Sequence, residues 1–96
     1  MIHEVAILTI DPAKADAFEA AVAQAKPYFE AAEGMKSFGL RRSIETPGRY
    51  HLVIEWTSVE AHMVDFRESE NFQRWRELAG PFFTGPVEME HVLTVI

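Results

Sequence analysis

The sequence predicts an α+β fold of the ferredoxin-like type, in which one antiparallel sheet carries helices on a single face. The first observation is the order of hydrophobic periods along the chain, which alternate as β-α-β-β-α-β. The second is the length of 96 residues, which suits one domain. The third is the absence of cysteine, which excludes a disulfide framework and a thiolate metal site. We therefore expect a single domain over residues 1–96, with the second helical region split in two.

The first strand and the first helix meet at Asp11-Pro12. Residues 2–10 are apolar and rich in β-branched side chains, a pattern typical of a buried strand. Asp11 can cap free backbone N–H groups and Pro12 is tolerated in the first helical turn, so a helix should begin there. Because of Pro27, the helix is expected to bend around residues 24–26, and it should end near Gly34. Four apolar residues at helical spacing form its inward stripe: Phe18, Val22, Ala25 and Phe29.

A β-hairpin should follow this helix. Residues 35–45 are predicted to form the second strand, residues 46–49 a turn and residues 50–56 the third strand. Because side chains alternate between the two faces of a strand, even and odd positions of the third strand have different surroundings. The more apolar face carries Tyr50, Leu52, Ile54 and Trp56.

The second helical region is predicted to be two short helices. Thr57 and Glu60 have the spacing of a capping box, and Ser69 is expected to cap the second helix. Gly80-Pro81 should end that helix, and residues 87–96 alternate as a closing strand. The inward positions of the first short helix are Val59, His62, Met63 and Phe66. Those of the second are Phe72, Trp75 and Ala79.

One face of the predicted sheet has no helix to cover it. It carries Val5, Ile7, Val53 and half of the last strand. A second copy of the chain is the natural cover, so we expect a homodimer in which two sheets pack face to face.

Net charge excludes several classes of partner. The chain has 9 basic and 15 acidic residues, so its formal charge is −6 and it should repel nucleic acid and anionic membranes. No leader peptide and no long apolar run is recognisable, so we expect a soluble, cytoplasmic protein.

His3, His51 and Glu55 share the uncovered face on strands taken to run parallel. Their expected separations favour a hydrogen-bond cluster at the dimer interface over a metal site, so we expect no metal.

The segments GRYHLVIEW at 48–56, WTSVEA at 56–61 and SENF at 69–72, together with the closing strand, resemble the antibiotic biosynthesis monooxygenase family of dimeric α/β barrel proteins. The resemblance covers nearly the whole chain. It implies a ferredoxin-like protomer, a dimeric α/β barrel and a ligand cleft between helices and sheet. The family includes oxygenases that convert aromatic phenols to quinones without metal or flavin, quinol oxidases, haem-degrading enzymes and isomerases.

The residues that mark individual branches of the family are only partly present. The haem-degrading branch has an asparagine, a tryptophan and a histidine where this chain has Ala6, Asp65 or Phe66, and Arg74 or Arg76. Without the imidazole there is no axial iron ligand, so we expect no haem and no other cofactor. The quinone-forming branch has a tryptophan that matches Trp56. Its asparagine falls near Leu52 and its tyrosine near His62.

His62 and Trp56 are the candidate catalytic residues. An imidazole on the inward face of a helix can exchange a proton near neutral pH, and an indole at the end of an apolar strand face can stack on a flat substrate and donate from its N–H. The alternatives are a core histidine bonded to a backbone carbonyl and a tryptophan that only packs. The candidate substrate-binding residues are Leu52, Ile54, Phe66, Phe72, Trp75 and Phe83. His91 is expected to be structural.

The resemblance and these residues together predict a cofactor-independent monooxygenase or quinol oxidase. Its substrates would be a small aromatic or quinone-like compound and molecular oxygen, with His62 and Trp56 deprotonating and orienting the ring. Two alternatives stay open. One is a non-catalytic dimeric module that binds a small metabolite, and the other is an isomerase or lyase that uses the same histidine.

Overall fold

A computed structural model describes the whole chain, Met1–Ile96. Its strands and α-helices are β1 (Ile2–Thr9), α1 (Ala15–Glu30), β2 (Met35–Arg42), β3 (Arg49–Trp56), α2 (Glu70–Ala79) and β4 (Glu88–Leu93). Short 3-10 helices cover Pro12–Lys14 and Gly80–Phe82, and a π-helix covers Ala61–Phe66. The predicted ferredoxin-like order, with its split second helical region, is confirmed.

The four strands form one antiparallel sheet in the order β2-β3-β1-β4. The expectation that His3 and His51 lie on parallel neighbours was wrong, because β1 and β3 run antiparallel. In this register His3 faces Glu55 while His51 faces Ile7, near the other end of the strand pair. A 3.8 Å contact joins His3 Nε2 to Glu55 Oε2, and no group of three acidic or histidine side chains is placed to hold a metal ion.

The core lies between α1 and the face of the sheet that carries the even-numbered residues of β3. All four residues of the predicted helix stripe and all four of the predicted strand face are buried. Asp11 accepts a hydrogen bond from the N–H of Ala13, as expected for a cap. Helix α1 runs through Pro27 and ends at Glu30, earlier than predicted.

The short helix after β3 begins later than its sequence pattern suggested. The Ser58 hydroxyl, not that of Thr57, accepts the capping hydrogen bond, from the N–H of Ala61 at 3.1 Å. Val59 therefore points outward and is 43% exposed, which corrects its inward assignment. His62 and Phe66 are buried as predicted.

The loop after α2 closes one end of the core. Phe82 and Phe83 place their rings edge-on to Phe18, with centroids 5.7 and 6.3 Å away.

On the opposite face of the sheet Val5 and Val53 are only half-buried, because no helix packs there. None of the helices is long and apolar enough to cross a membrane.

Candidate active site

A cavity of about 700 Å³ lies between the inner face of the sheet, helix α2 and the loop that follows α2. Its lining includes five residues that the sequence singled out: Leu52, His62, Phe72, Trp75 and Phe83. The other three, Ile54, Trp56 and Phe66, do not line it. They are at most 2% exposed and form the packed layer behind the cavity wall.

Glu4 is a buried carboxylate on the cavity wall, in the middle of the apolar strand β1. The residue is 6% exposed, and the indole N–H of Trp56 donates to its Oε1 at 3.0 Å. Burial in an apolar setting disfavours the charged form and raises the pKa of Glu4 from 4.5 to about 7. The Trp56 hydrogen bond and the positive charge of Arg67 act in the opposite direction and limit the rise. Glu4 therefore exchanges its proton near neutral pH.

His62 packs against the same tryptophan and contacts the same carboxylate. Its ring stacks on the Trp56 indole, with centroids 5.1 Å apart and planes 14° apart, and its Nε2 lies 3.3 Å from Glu4 Oε1. Burial lowers the pKa of His62 to about 4, and the charges of His91 and Arg67 add to the effect. The imidazole is thus neutral at pH 7, and its contact with Glu4 is a hydrogen bond rather than an ion pair.

A second imidazole completes the chain of polar groups. His62 Nδ1 lies 2.8 Å from Nε2 of His91, which is half-buried on β4. When Glu4 is ionised, His62 donates to it from Nε2 and accepts from His91 at Nδ1. When Glu4 is protonated, its O–H donates to Nε2 and His62 donates from Nδ1 to His91. The same three side chains therefore satisfy one another in both protonation states.

Glu4 and His91 were missed as site residues by the sequence reasoning. Glu4 was absorbed into an apolar strand, and His91 was interpreted as structural. The alternation of side chains along the strand could have revealed Glu4: it lies on the same face of β1 as Ala6 and Leu8, which predicts that its side chain points into the core. The register then places His91 directly opposite Glu4, but this pairing is tertiary information.

The fold and the site together define a class of protein: small α+β domains with a cavity between helices and sheet. In this chain the cavity wall holds a buried carboxylate and a neutral imidazole. Comparison with known families agrees with it. The family model described as "Antibiotic biosynthesis monooxygenase" matches residues 1–78. The chain belongs to the antibiotic biosynthesis monooxygenase family, as its resemblance predicted.

Individual relatives match over nearly the full length. A crystal structure titled "Putative antibiotic biosynthesis monooxygenase" from Bordetella bronchiseptica is 46% identical, with a TM-score of 0.95 over 99% of this chain and 97% of that one. The uncharacterized protein YczJ of Bacillus subtilis is 33% identical over 95% of this chain and 96% of its own length. SnoaB of Streptomyces nogalater, titled a cofactor-independent oxygenase, shares the fold at 18% identity, with a TM-score of 0.80 over 99% of this chain and 93% of its own.

Proposed function

We propose that this protein is a cofactor-independent monooxygenase of small hydroxylated aromatic compounds, in which Glu4 is the proton acceptor. The observation that carries the proposal is the Glu4 carboxylate on the cavity wall, whose pKa of about 7 suits a general base at neutral pH. Membership of the monooxygenase family supports it. This assignment moves the proton-accepting role from His62, which a pKa near 4 makes a weak base, to the carboxylate beside it.

The cavity matches a flat substrate in size and lining. About 700 Å³ falls within the range of small-molecule sites and accepts a bicyclic or tricyclic ring. Trp75, Phe72 and Phe83 offer aromatic surface for such a ring, and Leu52 offers an aliphatic floor. Trp56 and Phe66 support this wall from behind without touching the ligand.

The proposed reaction begins when Glu4 takes the proton of a ring hydroxyl, as in the enol form of an anthrone. The resulting anion is electron-rich and donates electrons to molecular oxygen, and a carbon–oxygen bond forms at the activated ring carbon. Glu4 returns its proton to the peroxide, and loss of water leaves a carbonyl. In balance, one CH₂ and one O₂ give one C=O and one H₂O, so the substrate is the only reductant.

In this proposal Trp56 and His62 are positioning residues. Both donate toward Oε1 of the ionised Glu4, which leaves Oε2 to accept the substrate proton. Hydrogen bonds to the charged form also hold part of the population ionised despite burial. His91 fixes the orientation of the His62 ring through the 2.8 Å contact.

Oxygen uptake with dihydroxynaphthalenes and anthrones tests the activity directly. Labelled oxygen should appear as one atom in the product and one in water. Glu4→Gln should lower kcat about a hundredfold or more, as is typical when a general base is lost. Glu33→Gln, which neutralises an exposed loop carboxylate, is the matched control and should leave kcat unchanged. A broad substrate panel that gives no oxygen uptake with the wild type would contradict the proposal.

The same proton-transfer groups also suit an isomerase, which is the second candidate. Glu4 and His62 exchange roles as donor and acceptor without any change of contacts, which favours moving one proton between two positions of a substrate. An isomerase would form product under nitrogen, whereas the monooxygenase would not. A non-catalytic binding module would show ligand-dependent stabilisation with no turnover in either gas.

We also propose that the chain works as a homodimer, with the uncovered sheet faces packed together. Val5, Ile7 and Val53 lie on that face, and no helix covers them. Burying such a face on a second copy removes apolar area from water. Sedimentation at micromolar concentration should give twice the chain mass of 10.9 kDa, and a monomeric mass would refute this assembly.

A further inference from the structure

Two arginine side chains at the rim of the cavity have no carboxylate partner. Arg67 and Arg76 both line the cavity and are exposed to solvent. Neither takes part in any of the four ion pairs of the chain. By contrast, Arg74, which lies on the same helix as Arg76, contacts Glu77 at 3.0 Å.

The two arginines reach the cavity from different helical segments. Arg67 follows the π-helix, and its guanidinium carbon lies 5.9 Å from the centroid of the Phe72 ring. This stacking on a lining residue keeps the charge beside the apolar wall. Arg76 directly follows Trp75, whose indole forms part of the same wall. The rim therefore presents two guanidinium groups beside aromatic surface.

This rim is positive on a protein that is otherwise acidic. The chain carries a formal charge of −6, yet Glu4 is the only carboxylate among the lining residues. Guanidinium groups bind planar carboxylates through paired, charge-assisted hydrogen bonds. An anion entering here meets two guanidinium groups that are not in an ion pair with any carboxylate of the chain.

We propose that the substrate is an aromatic carboxylate, whose flat ring fills the apolar cavity and whose acid group binds Arg67 and Arg76. The ring hydroxyl then lies at the inner end, toward Glu4, and the carboxylate at the rim. This proposal deepens the function proposed above, since it defines a second group on the same substrate and orients the ring.

Binding of a matched pair of ligands, measured by calorimetry at low salt, tests the proposal without requiring turnover. The probes are 6-hydroxy-2-naphthoate and 2-naphthol, which share the ring and the hydroxyl and differ in the carboxylate, which lies at the opposite end of the ring system from the hydroxyl. The wild type should bind the carboxylate at least about tenfold more tightly, because hydrogen bonds to charged groups contribute that much. High salt should reduce this preference.

Arg67→Gln and Arg76→Gln should each weaken binding of the naphthoate by a larger factor than binding of naphthol, and the double variant should lose the preference. Arg74→Gln is the matched control: it removes the same charge from the same helix, but from a side chain outside the cavity. Equal binding of the two ligands by the wild type would overturn this proposal alone. So would a loss in Arg74→Gln as large as that in Arg76→Gln, because net charge would then explain the effect. If neither ring compound binds, the aromatic function proposed above falls as well.

Discussion

Glu4→Gln should make the protein progressively more stable than the wild type as the pH rises from 4.5 to 7. Burial raises the pKa of Glu4 from 4.5 to about 7, so the folded state binds this proton more tightly than the unfolded state does. In that pH window the unfolded chain releases the proton first, and the free energy of unfolding of the wild type falls as the pH rises. A shift of this size corresponds to about 3 kcal/mol at pH values above 7.

His62 contributes a slope of the opposite sign. Its pKa is lowered from 6.5 to about 4, so the folded state resists protonation and stability is lost as the pH falls from 6.5 to 4. The size is again about 3 kcal/mol. Between pH 4.5 and 6.5 the two contributions nearly cancel in the wild type. The Glu4→Gln variant should keep a His62 slope of the same sign, and His62→Gln should keep a Glu4 slope of the same sign. The sizes of these slopes should change, because Nε2 of His62 lies 3.3 Å from Oε1 of Glu4.

Urea unfolding followed by tryptophan fluorescence at a series of pH values measures both slopes. The informative quantity is the stability difference between each variant and the wild type, because all other titrating groups cancel in it. For Glu4→Gln this difference should rise with pH, for His62→Gln it should fall, and for the Glu33→Gln control it should stay constant. A constant difference for Glu4→Gln would refute the perturbed carboxylate and remove the basis of its role as a base.

Three further outcomes follow from individual contacts. Trp56→Phe removes the N–H that donates to Glu4, so the pKa of that carboxyl should rise further and the acidic limb of the pH–rate profile should move to higher pH. His91→Leu removes the partner of the buried imidazole and should cost about 1 to 3 kcal/mol in urea unfolding, whereas His91→Gln, which keeps a donor, should cost less. Gly48→Ala should lower the melting temperature by several degrees, because Gly48 has φ of 81° and an added Cβ would meet the carbonyl oxygen of Ile10. Gly85→Ala, in open space, should leave the melting temperature unchanged.

The fold was predictable because its signals are local. Asp11 caps the turn that leads into α1 and Ser69 caps α2, and the buried face of α1 has a hydrophobic period that a short window reveals, as at Phe18 and Phe29. The inward face of the short helix that contains Val59 was predicted wrongly. This helix starts one residue later than its capping pattern suggests and then adopts a wider turn. A period of 3.6 residues does not describe that turn.

The site was only half predictable because its partners come from three distant parts of the chain. Trp56 and His62 lie six residues apart and carry a recognisable chemistry. Glu4 and His91 join them only through the register of β1 with β3 and β4. The perturbation of Glu4 itself arises from burial, which no single residue of the sequence encodes.

The π-helix links the two ends of the proposed site. Its wide turn is closed by a hydrogen bond from the N–H of Arg67 to the carbonyl of His62, five residues earlier. This turn keeps His62 stacked on Trp56 beneath the cavity while Arg67 emerges at the rim, above Phe72. An ordinary α-helical turn would advance each residue by 100° instead of about 80°, so the imidazole and the guanidinium would no longer face the same cavity. The segment therefore fixes the position of His62, which contacts the proposed base Glu4, relative to Arg67, the proposed anion-binding group at the rim.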